Sequence, residues 1–178
     1  KIKNSLVIAA DKANGQPHDA LEYTVGAGAV ALICRSNDLI LELVDFHSFS
    51  SDTPDFWRRD GIRYPSHGGR FTGKPGYFYH ITAAVKSLLD KTNLKPEQFS
   101  AAVFHMPNGK FPRQVAKSLG FNFGQIEKSL VVSFLGNSYT ASALMGLMAV
   151  VETARPDDLI LLTAYGSGAG ADSFIFRV

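Results

Sequence analysis

The run Leu6-Val7-Ile8-Ala9-Ala10 is apolar at five successive positions and is stopped by Asp11. A strand with one wet face alternates apolar and polar residues. A strand that is apolar throughout needs cover on both faces, which favours a sheet lying between layers of helix. The Gly/Asn/Pro-bearing stretch through Pro17 then reads as the loop that ends this strand. A layered α/β protein is the fold class this pattern demands.

The rest of the chain fits that class. Residues 26–35 form a second apolar run. Residues 39–49 alternate, with Leu39, Leu41 and Leu43 against Asp38, Glu42 and Asp45, and predict a third strand after a turn at Ser36-Asn37. Residues 1–49 are thus read as mostly sheet and 50–178 as a second unit. The second unit opens with a long loop at 50–76, where prolines and glycines interleave with Trp57, Arg58, Arg59, Tyr64, His67, Arg70 and Phe71. A connection of that length is expected to do more than connect. Ile81, Val85, Leu88 and Leu89 give helical spacing over 79–91. A strand over 99–104 delivers His105 at its C-terminal end, and a helix over 112–119 is closed by Gly120. Residues 130–135 read as a further strand, 138–154 as a long helix, and 159–165 with 173–178 as a hairpin about the glycine-rich 166–170. The apolar stretch 141–151 is shorter than the ~20 residues needed to span a bilayer. Its small residues, among them Ala141, Ser142, Ala143, Gly146 and Ala149, suit a helix packed closely between sheets.

Composition narrows the function classes. A chain of 178 residues, 46% hydrophobic and 19% charged, can bury a core of its own. A net charge of +2 provides no broad basic field for nucleic acid, so any anion site is local. The single cysteine, Cys34, excludes an internal disulfide framework and CxxC metal or redox motifs, and sits in an apolar strand pattern expected to bury it. No leader-like segment precedes the first strand, and the chain reads as if cut into at Lys1. A cytoplasmic protein with no metal and no membrane or nucleic-acid partner is expected.

Three places could carry chemistry. His105, in HMPNGKFP, lies where ligands gather in open α/β sheets, and an imidazole there can polarise a carbonyl or exchange a proton; a hydrogen-bonded structural histidine is an equal alternative. Asn137, in GNSYTAS, could offer its amide to an oxyanion, although an asparagine before a helix is more often a cap. The GSGAG stretch at 166–170 could turn free backbone N–H groups toward negative charge, or be only a tight hairpin turn. It has neither dinucleotide-site nor P-loop spacing. Lys110 and Arg113 flank the histidine motif and, with Arg58, Arg59, Arg70 and Lys74, could meet the phosphates of a nucleotide-bearing group.

Taken together, HMPNGKFP, GNSYTAS and the GSGAG loop resemble the His, Asn and glycine-loop signatures of the thiolase superfamily. The DALEYT segment at 19–24 and the stretch from DTPDFWRR to GGRFTG over 52–73 are similar to archaeal-type 3-hydroxy-3-methylglutaryl-CoA synthases, over nearly the whole chain. The resemblance implies the C-terminal half of a layered αβαβα fold, with residues 1–49 as the last strands of the N-terminal half. It implies a cysteine acetylated by acetyl-CoA, a glutamate that moves the acetyl methyl proton, and attack of the carbanion on acetoacetyl-CoA. His105 and Asn137 would then be catalytic, Thr24, Thr72, Ser167 and Gly168 substrate-binding, and Lys110 and Arg113 coenzyme A-binding, with coenzyme A thioesters as substrates and no permanent cofactor. The family's cysteine and glutamate would precede Lys1. Either the chain is a fragment of such an enzyme or a second chain supplies both, the latter in a dimer of such pairs with a thiolase and a small acyl-CoA-binding bridging protein as further partners. An initiating ketoacyl-carrier-protein synthase shares the Cys, His and Asn logic, but HMPNGKFP and DTPDFWRR speak against it. A noncatalytic acyl-CoA-binding or scaffold subunit stays open.

Overall fold

The computed structural model describes residues 4–178; the expectations for residues 1–3 lie outside them. Strands β1 (Asn4–Lys12) and β2 (Ala27–Arg35) pair antiparallel as a ribbon, with Leu6 opposite Ile33 and Ala9 opposite Val30. A second sheet has the order β3-β8-β7-β6, formed by β3 (Glu42–Thr53), β6 (Ala101–Phe104), β7 (Leu159–Gly166) and β8 (Gly168–Arg177). Only β6 and β7 run parallel. Between β3 and β6 lie the short pair β4 (Phe56–Trp57) and β5 (Ser66–His67), a π-helical turn at Thr72–Phe78, and α1 (Tyr79–Thr92). Between β6 and β7 come α2 (Phe111–Ser118), α3 (Phe123–Ile126), α4 (Val132–Leu135) and α5 (Ser142–Val151).

Strand alternation sorts the core. Ala102, Phe104, Leu161 and Ile175 point to the side of α1, where they meet Ile81, Val85 and Leu88. Val103, Ile160 and Leu162 point to the other side and pack on Ala143, Leu147 and Val150 of α5. On its far side α5 meets β2: a Cβ at Gly28 would lie 2.3 Å from the sulfur of Met145. The layers therefore run α1, four-stranded sheet, α5, ribbon, and the fold is α/β. The open face of the ribbon carries Leu6, Ile8 and Ile33, each more than 60% exposed.

Three expectations are corrected. The first strand was expected to be covered on both faces. The ribbon buries Ala9 and Val30 toward α5, but no helix among the described residues covers the other face. Cys34 is exposed rather than buried, because it sits opposite Ser5 near the end of β2, past the part of the ribbon that α5 covers. Residues 130–135 are not a strand. They continue the helical turns Phe123–Ile126 and Glu127–Ser129, bury Leu130, Val131 and Val132, leave Phe134 in solvent, and stop at Gly136 with φ +73°. A short apolar run does not by itself distinguish strand from helix. The stretch 50–76 is also ordered more than a loop would be: β3 runs to Thr53, β4 and β5 pair, and the π-helical turn starts at Thr72.

Gly146 is where α5 comes closest to its neighbours. A Cβ there would lie 2.9 Å from both the Ser129 carbonyl oxygen and Val103 Cγ1, and 3.1 Å from Met106 Cε. Gly146→Val is expected to lower stability in urea denaturation by about 2 kcal/mol through overpacking. Gly109→Ala, where a Cβ meets nothing within 4 Å, serves as the control and is expected to change stability little.

Candidate active site

A cavity of about 600 Å³ opens at the C-terminal end of β6, and its wall includes His105, Asn137, Thr24, Thr72, Ser167 and Tyr165. Five of the eight residues singled out in the sequence are thus brought together. His105 is placed by its backbone. Its N–H donates to the Thr163 carbonyl at 2.8 Å, extending the β6–β7 ladder by one residue, and its carbonyl accepts the Tyr77 hydroxyl at 2.6 Å. The ring lies between Tyr77 and Tyr165, with centroids 6.5 and 6.3 Å away. Burial pushes its pKa down to about 4, so the imidazole is neutral at pH 7 and offers one N–H and one lone pair.

Asn137 is held by a close approach of two segments. Its N–H donates to the Thr24 carbonyl at 2.7 Å and its carbonyl accepts from Gly26 N–H at 2.8 Å. Glycine is required on both sides: a Cβ at Gly26 would lie 2.0 Å from the Leu135 carbonyl oxygen, and one at Gly136 2.7 Å from that of Val25. Asn137 Oδ1 accepts from Tyr139 N–H at 2.9 Å, which is the local turn-capping bond. Its Nδ2 has no protein acceptor among the described residues, so the amide can both cap and donate into the cavity. Thr24 and Thr72 use their hydroxyls internally, Thr24 toward the Leu21 carbonyl at 3.2 Å and Thr72 toward the Asp55 carbonyl at 2.8 Å. They shape the wall and present their remaining surface to it.

Asp55 is the functional residue that sequence reasoning passed over, since it appeared there only within DTPDFWRR. It is fully buried. Its Oδ2 accepts from the Tyr165 hydroxyl at 2.8 Å and the Ser167 hydroxyl at 3.3 Å, and its Oδ1 accepts from Gly168 N–H at 3.0 Å. Burial first, and then the bond to Asp55, raise the Tyr165 pKa far above the ordinary phenol value, so the hydroxyl stays protonated and donates. Gly168 N–H is taken up by Asp55 Oδ1, and Gly168 is not among the residues of the cavity wall. Lys110 and Arg113 are not in the wall either. Both are exposed, Lys110 just before α2 and Arg113 in its first turn, next to the wall residues Asn108 and Phe111, and the Arg113 guanidinium lies 4.8 Å from the Phe123 ring centroid. Tyr139 was also missed. Its hydroxyl is buried with no hydrogen-bond partner among the described residues, beside Phe56 in the same wall.

Comparison with known proteins adds a family to this geometry. Residues 89–178 match the family model described as 3-oxoacyl-[acyl-carrier-protein (ACP)] synthase III C terminal. The chain belongs to that family. It is 53% identical over 97% of its length to the hydroxymethylglutaryl-CoA synthase of Methanococcoides burtonii, and 52% identical over 99% to that of Methanopyrus kandleri. It covers 50% and 51% of those two proteins, so the chain spans about half the length of the curated relatives it matches and corresponds to their C-terminal half. A crystal structure of HMG-CoA synthase complexed with CoA superposes with TM-score 0.88 at 25% identity, over 98% of this chain and 48% of that one. MvaS in complex with 3-hydroxy-3-methylglutaryl coenzyme A superposes with TM-score 0.89 at 25% identity, over 99% and 52%. The thiolase-like fold is thereby shown. Among the described residues no cluster of three or more His, Cys, Asp or Glu is arranged to hold a metal, and no helix is long and apolar enough to cross a membrane.

The depressed His105 pKa makes stability depend on pH. The unfolded chain protonates this histidine near 6.5, whereas the folded chain does so only near 4. Stability is therefore lost as pH falls from about 6.5 to about 4. By pH 4 the wild type should have lost on the order of 3 kcal/mol more than His105→Gln, measured by urea denaturation across that range. Asp55→Asn turns one acceptor into a donor facing donors. It should cost about 2 kcal/mol in the same assay, and intrinsic tyrosine fluorescence should report the release of Tyr165.

Proposed function

We propose that this chain is the acceptor-binding half of a hydroxymethylglutaryl-CoA synthase, joining acetyl-CoA and acetoacetyl-CoA in a mevalonate-type route with a second chain that supplies the cysteine nucleophile and the glutamate acid/base. One observation carries the reading. A neutral His105 and the free amide of Asn137 converge on a cavity whose described wall contains no cysteine and no glutamate. Cys34 is exposed on the ribbon and is not part of that wall. The identities of 52–53% with archaeal hydroxymethylglutaryl-CoA synthases support this reaction over that of a ketoacyl-carrier-protein synthase.

In this reading the partner's cysteine carries the acetyl group as a thioester and its glutamate removes a methyl proton. The resulting carbanion attacks the ketone carbon of acetoacetyl-CoA. As the C–C bond forms, the carbonyl electron pair moves to oxygen, where the His105 N–H and the Asn137 amide meet the developing charge. A neutral imidazole suits this task, since it can donate a hydrogen bond and pass its proton to the alkoxide, the proton taken from the methyl group by the glutamate then restoring the ring. Water cleaves the remaining thioester, freeing product and thiol. Thr24, Thr72 and Ser167 bound the acyl group, and the coenzyme A phosphates meet exposed cations near the mouth, among them Lys110 and Arg113. Gly168 supports this wall through Asp55. The thioesters are substrates and no resident cofactor is involved.

The ribbon supports the partner. An apolar sheet face with open edges is normally covered. The sequence reading of 1–49 as the last strands of the N-terminal half is kept for the ribbon, with the partner's helices on Leu6, Ile8 and Ile33, and its boundary is moved from 49 to before β3, which pairs with β8. Two such pairs form a dimer. A cytoplasmic location, and association with a thiolase and a small acyl-CoA-binding bridging protein, complete the proposal.

The test uses this chain assembled with the N-terminal half of the Methanopyrus kandleri relative. His105→Ala is expected to lower turnover about 100-fold while acetoacetyl-CoA affinity, measured by calorimetry, stays within a few-fold. Binding that survives beside turnover that does not change would contradict the catalytic role and favour a binding-only subunit.

A further inference from the structure

His80, in the first turn of α1, is fully buried, yet it lines no part of the cavity. Its two ring nitrogens are both engaged. Nδ1 lies 2.6 Å from the Gly76 carbonyl oxygen and Nε2 lies 2.8 Å from Ser51 Oγ. A carbonyl can only accept, so Nδ1 carries the hydrogen and Nε2 accepts the Ser51 hydroxyl. Ser51 Oγ in turn lies 2.8 Å from Thr53 Oγ1; with its own hydrogen committed to His80, it accepts from Thr53. The polarity of the whole chain, from Thr53 through Ser51 and His80 to Gly76, is thus fixed by its last member.

Gly76 is the point at which this chain reaches the site. It sits in the π-helical turn, directly after Pro75. Its Cα packs so closely that an added Cβ would lie 2.8 Å from Tyr165 Oη and 3.0 Å from Asp55 Oδ2. The same turn contributes Thr72 to the cavity wall and Tyr77, whose hydroxyl holds the His105 carbonyl at 2.6 Å. At the end of this turn Tyr79 N–H donates to the Gly76 and Lys74 carbonyls together, so the His80 ring is a second donor on the Gly76 carbonyl, using its remaining lone pair.

We propose that His80 is a positioning residue: by holding the Gly76 carbonyl it sets the π-helical turn against the Asp55–Tyr165 pair and seats Tyr77 behind His105. Its consequence for turnover rests on the synthase reading given above. The positioning itself does not, because it is visible in this chain alone.

Two substitutions separate positioning from core filling. His80→Phe keeps the ring volume among Phe49, Tyr79 and Tyr165 but donates nothing. His80→Asn keeps a donor near the Nδ1 position. The first readout is NMR titration of the His105 ring in the isolated chain. His80→Phe is expected to raise the His105 midpoint by about one pH unit as water enters behind a displaced Tyr77, and His80→Asn to leave it near the wild-type value. The second is turnover in the assembled pair, where His80→Phe should lower kcat about tenfold with little change in KM and His80→Asn should restore most of it. If His80→Phe leaves both readouts unchanged, or if His80→Asn is as defective as His80→Phe at matched thermal midpoints, the proposal is overturned. Should His80→Phe fail to fold, Ser51→Ala removes the hydroxyl that holds Nε2 and leaves the ring free to turn away from Gly76, and an unmoved His105 titration there would count equally against it. An inactive wild-type assembly would defeat the synthase reading, and the titration would still decide the role of His80.

Discussion

The buried carboxylate of Asp55 joins parts of the chain more than a hundred positions apart in sequence. Removing a charge from water is costly unless it is well hydrogen-bonded. Here Tyr165, Ser167 and Gly168 N–H provide that compensation from the β7–β8 hairpin, while the Asp55 carbonyl accepts from Thr72 and Gly68 on the other side. Each contact fixes a piece of the cavity wall. Tyr165 flanks His105, Ser167 sits at the hairpin tip, and Thr72 opens the turn that carries Tyr77. The cavity wall is therefore rigid because it is knotted to one charge, and that charge is tolerable because the wall supplies the donors.

The layering ends on an open apolar face. From α1 inward, each apolar face meets another: α1 on the four-stranded sheet, the sheet on α5, α5 on the ribbon. The series ends at Leu6, Ile8 and Ile33 without a covering layer among the described residues. The loop after β1 contributes Leu21 and Thr24 to the cavity. In the proposed reading, whatever covers the ribbon is thus brought close to the cavity.

Much of this was legible in the sequence, because period and motif are local. The strand at 99–104 and its delivery of His105, the helix over 79–91, and the hairpin about GSGAG all follow from spacing alone. Motif resemblance added the grouping of His105, Asn137, Thr24, Thr72 and Ser167, which lie far apart in the chain. What was not legible depended on partners in space. Cys34 looks like core in an apolar strand until the extent of α5 is known. Residues 130–135 have strand composition but follow helical turns that keep their hydrogen bonds local. Gly168 N–H looked free because Asp55 lies 113 residues away. Lys110 and Arg113 are close in sequence to the site but lie exposed outside its wall, Arg113 over the Phe123 ring.

The claim on which the rest depends is that this chain holds the acceptor side of a shared site and needs a second polypeptide to complete it. Denaturing mass spectrometry of the native particle tests it most directly. The account predicts the 19.3 kDa chain together with a stoichiometric second chain that takes up acetyl from acetyl-CoA on its own cysteine. A lone 19.3 kDa species that purifies without any such partner would contradict it.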